Sequence, residues 1–587
     1  MSAFLTSLNP GLFLLLAALA GFAIPAWRVR QALMVAAPVI GLVLLLNAEH
    51  GVDLQAIRAI GLALVVYRVD PTSFVFGLAF LVAALLNAIY ALHRDDRLQD
   101  GMSLALAGSA VTAVFAGDLM TMFIFWELTA VAAVFLILRA GTRTAYFASM
   151  RFLALQVLSG VLFLDAIAYA YKYTGSLQLE AFESLGDYGA IYLFGAIAIK
   201  AAFPLVHNWL QDSYSKATPT GSVVCSGFLT SLAVYGAARL FPGLDILVLV
   251  GAVMAVFPVF LAMLSHDLRA ILAYGLNSQL GMIICAIGLA DLDTGQGRLA
   301  MNAALAQAFT LTVFVPLLFM VVGAVMIRTG TSRTHEVGGL CKTMPFTTIA
   351  GLVGAASFGA LPLFSGFVSI PMILRAAAQD QHMLVWIAIL FALAGSVGHT
   401  SIRLPYAMFF APDRANRVEE APFNMQLAMG LAAALCILVG VPSFFGLGHG
   451  WLYSLLPYQA EAMAFAPYSA GTVLAHMQVF VFAALAFIVM KRFGLMPLDK
   501  PSTLLDTDWI YRRLGYGLFS WTGAVWGKAG PALSGVAGEL AGRAYERIEA
   551  AFSPRGRLSQ GPLSGGMAIW TAALLGMAML LSFITVR

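Results

Sequence analysis

An all-α polytopic membrane protein is the fold class this sequence predicts, and three observations predict it. Of its 587 residues 61% are hydrophobic and 11% charged, where soluble chains average roughly 45–50% apolar and 25% charged. The apolar residues fall in runs of the length a bilayer requires, about 20 residues for a helix. The charged residues gather in the short stretches between those runs. Lipid offers the backbone no hydrogen-bond partner, so each run is expected to be helical.

About sixteen spans can be drawn on that length criterion. They lie near 11–27, 31–47, 72–92, 101–117, 119–139, 145–171, 188–210, 218–240, 244–264, 270–290, 299–327, 346–376, 383–403, 422–445, 474–490 and 567–584. The first run follows MSAFLTSLNP, which has no basic segment, and leads into Trp27, Arg28 and Arg30. It reads as a retained helix and not a cleaved leader. With the N-terminus outside, the outer connections and the C-terminus hold only Arg58, Arg68, Lys172, Arg239, Arg298, Arg375 and Arg587 of the 33 Lys and Arg. Apart from Lys200 the rest fall on the cytoplasmic side, including Arg94, Arg97, Arg139, Arg143, Arg414, Arg417, Lys491 and Arg492, and that asymmetry sets the orientation in a bacterial-type inner membrane. Residues 492–566 are the only long mixed stretch, and either an amphipathic helix along the inner interface or a plain tether to the last span fits them.

Several function classes are excluded. A net charge of +4 is too small over this length to suggest nucleic acid as a partner. Cys225, Cys285, Cys341 and Cys436 stand singly, without the paired spacing of a metal site or a disulfide scaffold. No GxxxxGK[ST] loop and no HExxH occur. No cofactor, resident metal or catalytic residue set is therefore expected, and energy must come from an ion gradient, the membrane potential or a partner protein.

Two ionisable residues sit where the bilayer penalises them by about 2.5–3.5 kcal/mol or more. Glu127 lies inside the run GDLMTMFIFWELTAV. Lys200 lies inside LFGAIAIKAAFPLVHNWL, four residues before Pro204. Proline removes a backbone donor and clashes with the carbonyl four residues earlier, so the helix is expected to break at Lys200. Broken backbone at membrane depth is tolerated only where it faces protein or a wet cavity, and marks ion sites in transporters. A second break is expected in SFGALPLFSGFVSIPMIL from Pro362, Gly366 and Pro371, suggesting two repeats of about five spans each. A buried amine with a nearby carboxylate can hold and release a proton; a fixed ion pair between two helices is the competing reading.

Asp118, Asp165, His207 and His399 are weaker ion-translocation candidates. Helix capping or hydration explains Asp118 and Asp165 as well as proton handling does. His207, with Asp212, sits at the inner end of the broken helix, where a wet entry or an ordinary interface position both fit. His399 is a single span histidine, a common helix-to-helix hydrogen-bonding group.

The stretches DLMTMFIFWEL, KAAFPLVHNWLQDSYSKATPTGS, HDLRAILAYGLNSQLGMI and GLCKTMPFTTIAGLVGAASFGALPLFSGF resemble the antiporter-like membrane subunits. These comprise the D-type subunits of Mrp-type cation/proton antiporters and the proton-pumping membrane subunits of respiratory complex I. The likeness covers roughly residues 70–420, and FAPDRANRVEEAPFNMQLAMG and TDWIYRRLGYG look more like the D-type branch.

The resemblance implies two inverted five-helix repeats, each with a broken helix. The expected organisation is a three-helix segment 1–100, repeats at 101–241 and 242–421, and C-terminal helices with an interfacial segment at 422–587. It also implies that Glu127 and Lys200 are the family's proton-handling pair.

Departures begin downstream. Where the family carries a lysine or histidine after the first break, this chain has Ser231. Where it carries a histidine and lysine four apart, this chain has Leu311 and Val315. Where a lysine follows Ser-Gly-Phe-x-Ser, it has Ile370. Aliphatic groups cannot relay a proton, so the usual relay reads as lost, unless waters with Gln307, Ser231 and His399 replace it.

The expected function is thus a membrane subunit of a multi-subunit monovalent cation/proton antiporter-like complex, not an enzyme by itself. Its expected partners are other membrane subunits, the lipid bilayer, protons and Na+ or K+. A proton-translocating subunit of a complex I-like oxidoreductase and a non-conducting scaffold are the alternatives.

Overall fold

The computed structural model describes residues 8–494 apart from 60–61, 380–381 and 444–447, together with scattered positions between 506 and 575. It divides into residues 1–502 with 582–587 and a second unit, 503–581. The expected last span at 567–584 and most of the interfacial segment fall outside the described residues. In the second unit Trp509, Leu518 and Trp521 are exposed.

The chain opens with α1 (Pro10–Ala23), capped by Asn9, and α2 (Trp27–Leu46). Next come strands β1 (Asp53–Ala59) and β2 (Leu62–Arg68), paired antiparallel. This hairpin corrects the all-α expectation. Leu64 and Val66 are buried while Ala63 is exposed, the two-residue alternation of a half-buried strand. So short a signal is easily lost in a chain dominated by spans.

The first main run of helices is α3 (Pro71–Ala91), α4 (Arg97–Val114), α5 (Leu119–Leu138), α6 (Arg143–Thr174), α7 (Ala190–Lys200), α8 (Asn208–Lys216) and α9 (Pro219–Leu240). The second is α10 (Asp245–Leu264), α11 (Leu268–Gly288), α12 (Gly295–Thr329), α13 (Pro345–Phe358), a 3-10 turn Ser365–Val368, and α14 (Ile370–Gln379). Helix α15 (Met383–Ser396) continues through π-helical turns at Val397–Arg403 and Tyr406–Phe410. The chain then forms α16 (Phe423–Gly440), short α17 (His449–Leu455) and α18 (Gln459–Ala464), and α19 (Ala470–Arg492).

Among the described residues 11 helices are long and apolar enough to cross a membrane, so the protein is multi-pass. The number falls below the predicted sixteen partly because the predicted spans 188–210 and 346–376 are pairs of half-helices, neither half long enough alone. Small residues let neighbouring helices touch backbone to backbone. A Cβ at Gly281 would lie 2.3 Å from the Ala255 nitrogen, and one at Gly251 2.3 Å from that of Cys285, so α10 and α11 could not approach this closely with larger side chains at these positions.

Loops assigned to one face by charge do meet. The Leu119 and Phe182 amides donate to the carbonyls of Leu177 and Leu240, and Arg239 pairs with Asp70 at 2.8 Å. At the opposite face Arg30 is held by Asp100 at 2.9 Å and by Asp95, Arg139 pairs with Asp96 at 2.6 Å, and the Leu268 amide donates to Ser332.

Candidate functional site

Helix α7 ends at Lys200. Beyond it the chain turns through Ala202 and Leu205, at φ 60° and 75°, before α8 begins. Pro204 cannot donate to the carbonyl one turn back, and the Phe203 amide reaches instead to Ala198 at 2.9 Å. The helix thus ends where proline demands, with its last side chain pointing into the bundle.

Lys200 is 0% exposed. Its ammonium donates to the Trp126 carbonyl at 2.6 Å and lies 4.4 Å from the centre of the Trp126 ring. A carbonyl and an aromatic face both stabilise a desolvated cation. The Trp126 indole points to Ser159 Oγ at 3.4 Å, and Ser159 donates to the Ala196 carbonyl at 2.8 Å. These bonds tie α5, α6 and α7 around the amine.

Glu127, the next residue on α5, is 7% exposed and lies within electrostatic reach of Lys200. Its carboxylate packs on Gly160 of α6, where a Cβ would come within 2.6 Å of the carboxyl carbon. One carboxylate oxygen, Oε1, has no hydrogen-bond partner. Sequence reasoning found the charged pair but missed Trp126, Ser159 and Gly160. Of these only Gly160, a small residue in the middle of a long apolar run, leaves a signal in the sequence.

The other candidates stand apart from this pair. Asp118 caps α5, accepting from the Thr121 amide and hydroxyl at 2.7 Å each and from the Val65 amide of β2 at 2.7 Å. Every one of these bonds serves the hairpin and the helix start. Asp165 is half-buried on α6, within electrostatic reach of Tyr192. His207 is buried at the start of α8, with Phe257 edge-on at 5.3 Å. His399 lies in the π-helical turn of α15, 0% exposed, its Nδ1 2.6 Å from the Thr400 hydroxyl and its Nε2 without a partner.

The second break repeats the first. Helix α13 ends at Phe358, Ala360 and Leu363 take φ 52° and 76°, and the Leu361 amide reaches Ala356 at 3.0 Å. Gly366 is obligatory there, since a Cβ would lie 2.0 Å from the Ser357 carbonyl oxygen. Pro371 is not a breaker. It is the second residue of α14, where a missing amide hydrogen costs nothing.

By this match Phe358 occupies the place that Lys200 holds in the first break. Asp267 caps α11 as Asp118 caps α5, and Gly275 stands as far beyond its cap as Trp126 does. The Phe358 ring fills the space beside Gly275, 2.8 Å from where a Cβ would be.

Around the second break the imidazole of His399 lies edge-on to the Phe358 ring at 6.2 Å, and amides and hydroxyls make up the hydrogen-bonded chain beside it. Gln279 donates to the Phe358 carbonyl at 3.2 Å, Gln307 donates to Gln279 at 2.7 Å, and Ser369 donates to Gln307. Thr312 donates to Ser231 at 3.5 Å. Leu311 and Val315 are buried at 1% exposure and Ile370 at 0%. Among the described residues no group of three or more His, Cys, Asp or Glu gathers in metal-binding geometry.

Residues 116–395 match the family described as NADH:quinone oxidoreductase/Mrp antiporter, transmembrane. The chain is 26% identical over 425 residues to the Na(+)/H(+) antiporter A-type subunit of Alkalihalophilus pseudofirmus, covering 63% of this chain and 52% of that one, so it spans about half of that protein's length. It is 30% identical over 391 residues to F(420)H(2) dehydrogenase subunit M of Methanosarcina mazei, covering 62% of this chain and 76% of the other. In fold it is similar to a chain of the membrane-bound sulfane sulfur reductase, an archaeal respiratory membrane complex. There the TM-score is 0.66 at 21% identity, over 96% of this chain and 99% of that one.

Proposed function

Because the chain belongs to the NADH:quinone oxidoreductase/Mrp antiporter family of membrane proteins, we propose that it is a membrane subunit of a multi-subunit cation/proton antiporter-like complex of the Mrp kind. Its proton passes through Glu127 and Lys200. The observation that carries the reading is an ammonium wholly buried at a helix break, bonded to the carbonyl of the residue next to a buried carboxylate. Two such groups in a poorly polarisable surrounding feel each other strongly, so a proton arriving at the carboxylate changes the cost of charge on the amine. The Trp126 carbonyl and ring hold the charged amine in place, and the loosened backbone after Lys200 gives it room to move.

The matched breaks and capping aspartates support two inverted five-helix repeats, at 101–241 and 242–421, flanked by the 1–100 and 422–587 segments. The first repeat keeps the titrating pair. In the second, Phe358 fills the lysine place, Gln279 and Gln307 form the nearby hydrogen-bonded chain and His399 is the ionisable group against Phe358, so the usual relay through positions 231, 311, 315 and 370 is lost. Amide hydrogen bonds hold a fixed donor and acceptor sense and do not pass protons as carboxylates, amines or imidazoles do. The complex supplies the remaining path and the exchanged cation, Na+ or K+. The charge asymmetry of the loops supports an N-terminus outside a bacterial inner membrane.

A complex I-like role, with redox chemistry in a partner driving this bundle, draws support from the dehydrogenase relative. A non-conducting scaffold draws support from the aliphatic second half.

Glu127→Gln in the intact complex, reconstituted in vesicles, tests proton handling against the scaffold reading. Transport driven by a pH gradient is expected to fall at least about a hundredfold, the scale of a lost acid–base group, with assembly unchanged on native gels. Unchanged transport refutes the proton-handling role.

A further inference from the structure

Glu127 needs a way to exchange its proton with water, and the structure points to a buried residue outside the pair. Gln156 lies on α6 one helical turn before Gly160, which backs the Glu127 carboxylate, and residues four apart share a face. It is 1% exposed, and both its amide atoms lack a hydrogen-bond partner. A buried amide left unsatisfied costs on the order of 1–3 kcal/mol, and buried polar groups of this kind are normally satisfied by internal water. The Glu127 Oε1 atom, which lies against Gly160 on that face, is also without a partner. Gln156 stands about 6 Å along the helix axis from Gly160, the residue that touches the carboxylate, a spacing that one or a few bridging waters span.

Toward its start α6 reaches the surface. Phe152, a turn before Gln156, packs edge-on against Trp209 of α8 at 5.3 Å between ring centres. Just beyond, Arg151 donates from Nε and Nη2 to Asp212 Oδ2 at 3.0 and 2.7 Å. Its side chain is 38% exposed and that of Asp212 25%. Along α6 the order is thus the solvated Arg151–Asp212 pair, Phe152 packed on Trp209, Gln156, and then Gly160 against the Glu127 carboxylate.

We propose that Gln156 is a positioning residue that holds water between Glu127 and the Arg151–Asp212 mouth, so that Glu127 exchanges protons with the face on which α6 begins. The proposal rests on Glu127 as the proton acceptor and adds the route to it.

The test uses the intact complex in sealed vesicles of both orientations. Gln156→Cys is expected to react with a small membrane-impermeant methanethiosulfonate from the Arg151 face alone, above the background of the four native cysteines. Labelling from the opposite face, or none, overturns the route. Gln156→Leu, which removes the water-binding amide, is expected to slow proton flux at least about tenfold, with Gln156→Asn restoring most of it. A leucine variant that assembles and transports normally also overturns it. Labelling reads water access and not transport, so an inactive role for Glu127 would leave the labelling result to judge the route by itself.

Discussion

At the scale of single residues, the arrangement turns on how a cation is kept in hydrocarbon. Lys200 is not held by a direct carboxylate contact but by the Trp126 carbonyl and ring, which leaves the Glu127 charge free to change without releasing the amine. Gly160 sets the other wall. Gly160→Ala would put a methyl group within 2.6 Å of the Glu127 carboxyl, and the carboxylate or the helix must shift. The expected result is destabilisation of about 1–3 kcal/mol, the usual cost of overpacking, seen in thermal unfolding, together with loss of proton flux in the assembled complex. Normal flux in Gly160→Ala would mean that the carboxylate position does not matter.

At the scale of elements, the two breaks store backbone strain. Ala202, Leu205, Ala360 and Leu363 all take positive φ, which costs a non-glycine residue roughly 1–2 kcal/mol. Ala360→Gly removes only a methyl group, so it should raise the unfolding temperature slightly. If the strain matters for proton transfer it should slow flux at the same time, whereas a fall in unfolding temperature would contradict the strained reading.

Outside the spans, α18 is tied to α12 by Glu461 and Arg298 at 2.6 Å. That bond holds the Glu461 carboxyl below the usual glutamate range. A depressed carboxylate stabilises the folded form above its unfolded pKa, about 4.3, and the contribution is lost as pH falls through the lower folded value. The hydrogen-exchange protection factors of residues 459–464, corrected for intrinsic rate, should therefore fall in acid, and Arg298→Ala should remove that dependence.

The breaks were legible because proline acts locally, so Pro204 and Pro362 announce themselves without any tertiary contact. Glu127 and Lys200 were legible because charge in hydrocarbon is costly wherever it occurs. The hairpin, the Trp126 carbonyl and the Gln279–Gln307–Ser369 chain were not, because each depends on which neighbours the fold brings together. Asp118 shows the reverse limit. The sequence fits helix capping and proton handling alike at this position, and the folded structure shows its bonds going to a cap and a strand.

At the scale of the whole molecule, the two breaks are alike in backbone and differ in side chains: Lys200 ends the first half-helix beside Glu127, and Phe358 ends the second beside Gln279 and His399. The proposed orientation rests on the charge asymmetry of the loops. Thr142→Cys should react with an impermeant thiol reagent from the cytoplasmic side and Ser184→Cys from the outside, and the reverse pattern would invert the topology.

The most direct test of a single working half compares proton flux per assembled complex in Lys200→Ala and His399→Leu vesicles. The account predicts a loss of about a hundredfold or more for Lys200→Ala, as for removal of an acid–base group, and flux close to the unmodified level for His399→Leu. Full flux without the Lys200 amine, or an equal loss on removing the His399 imidazole, would contradict it.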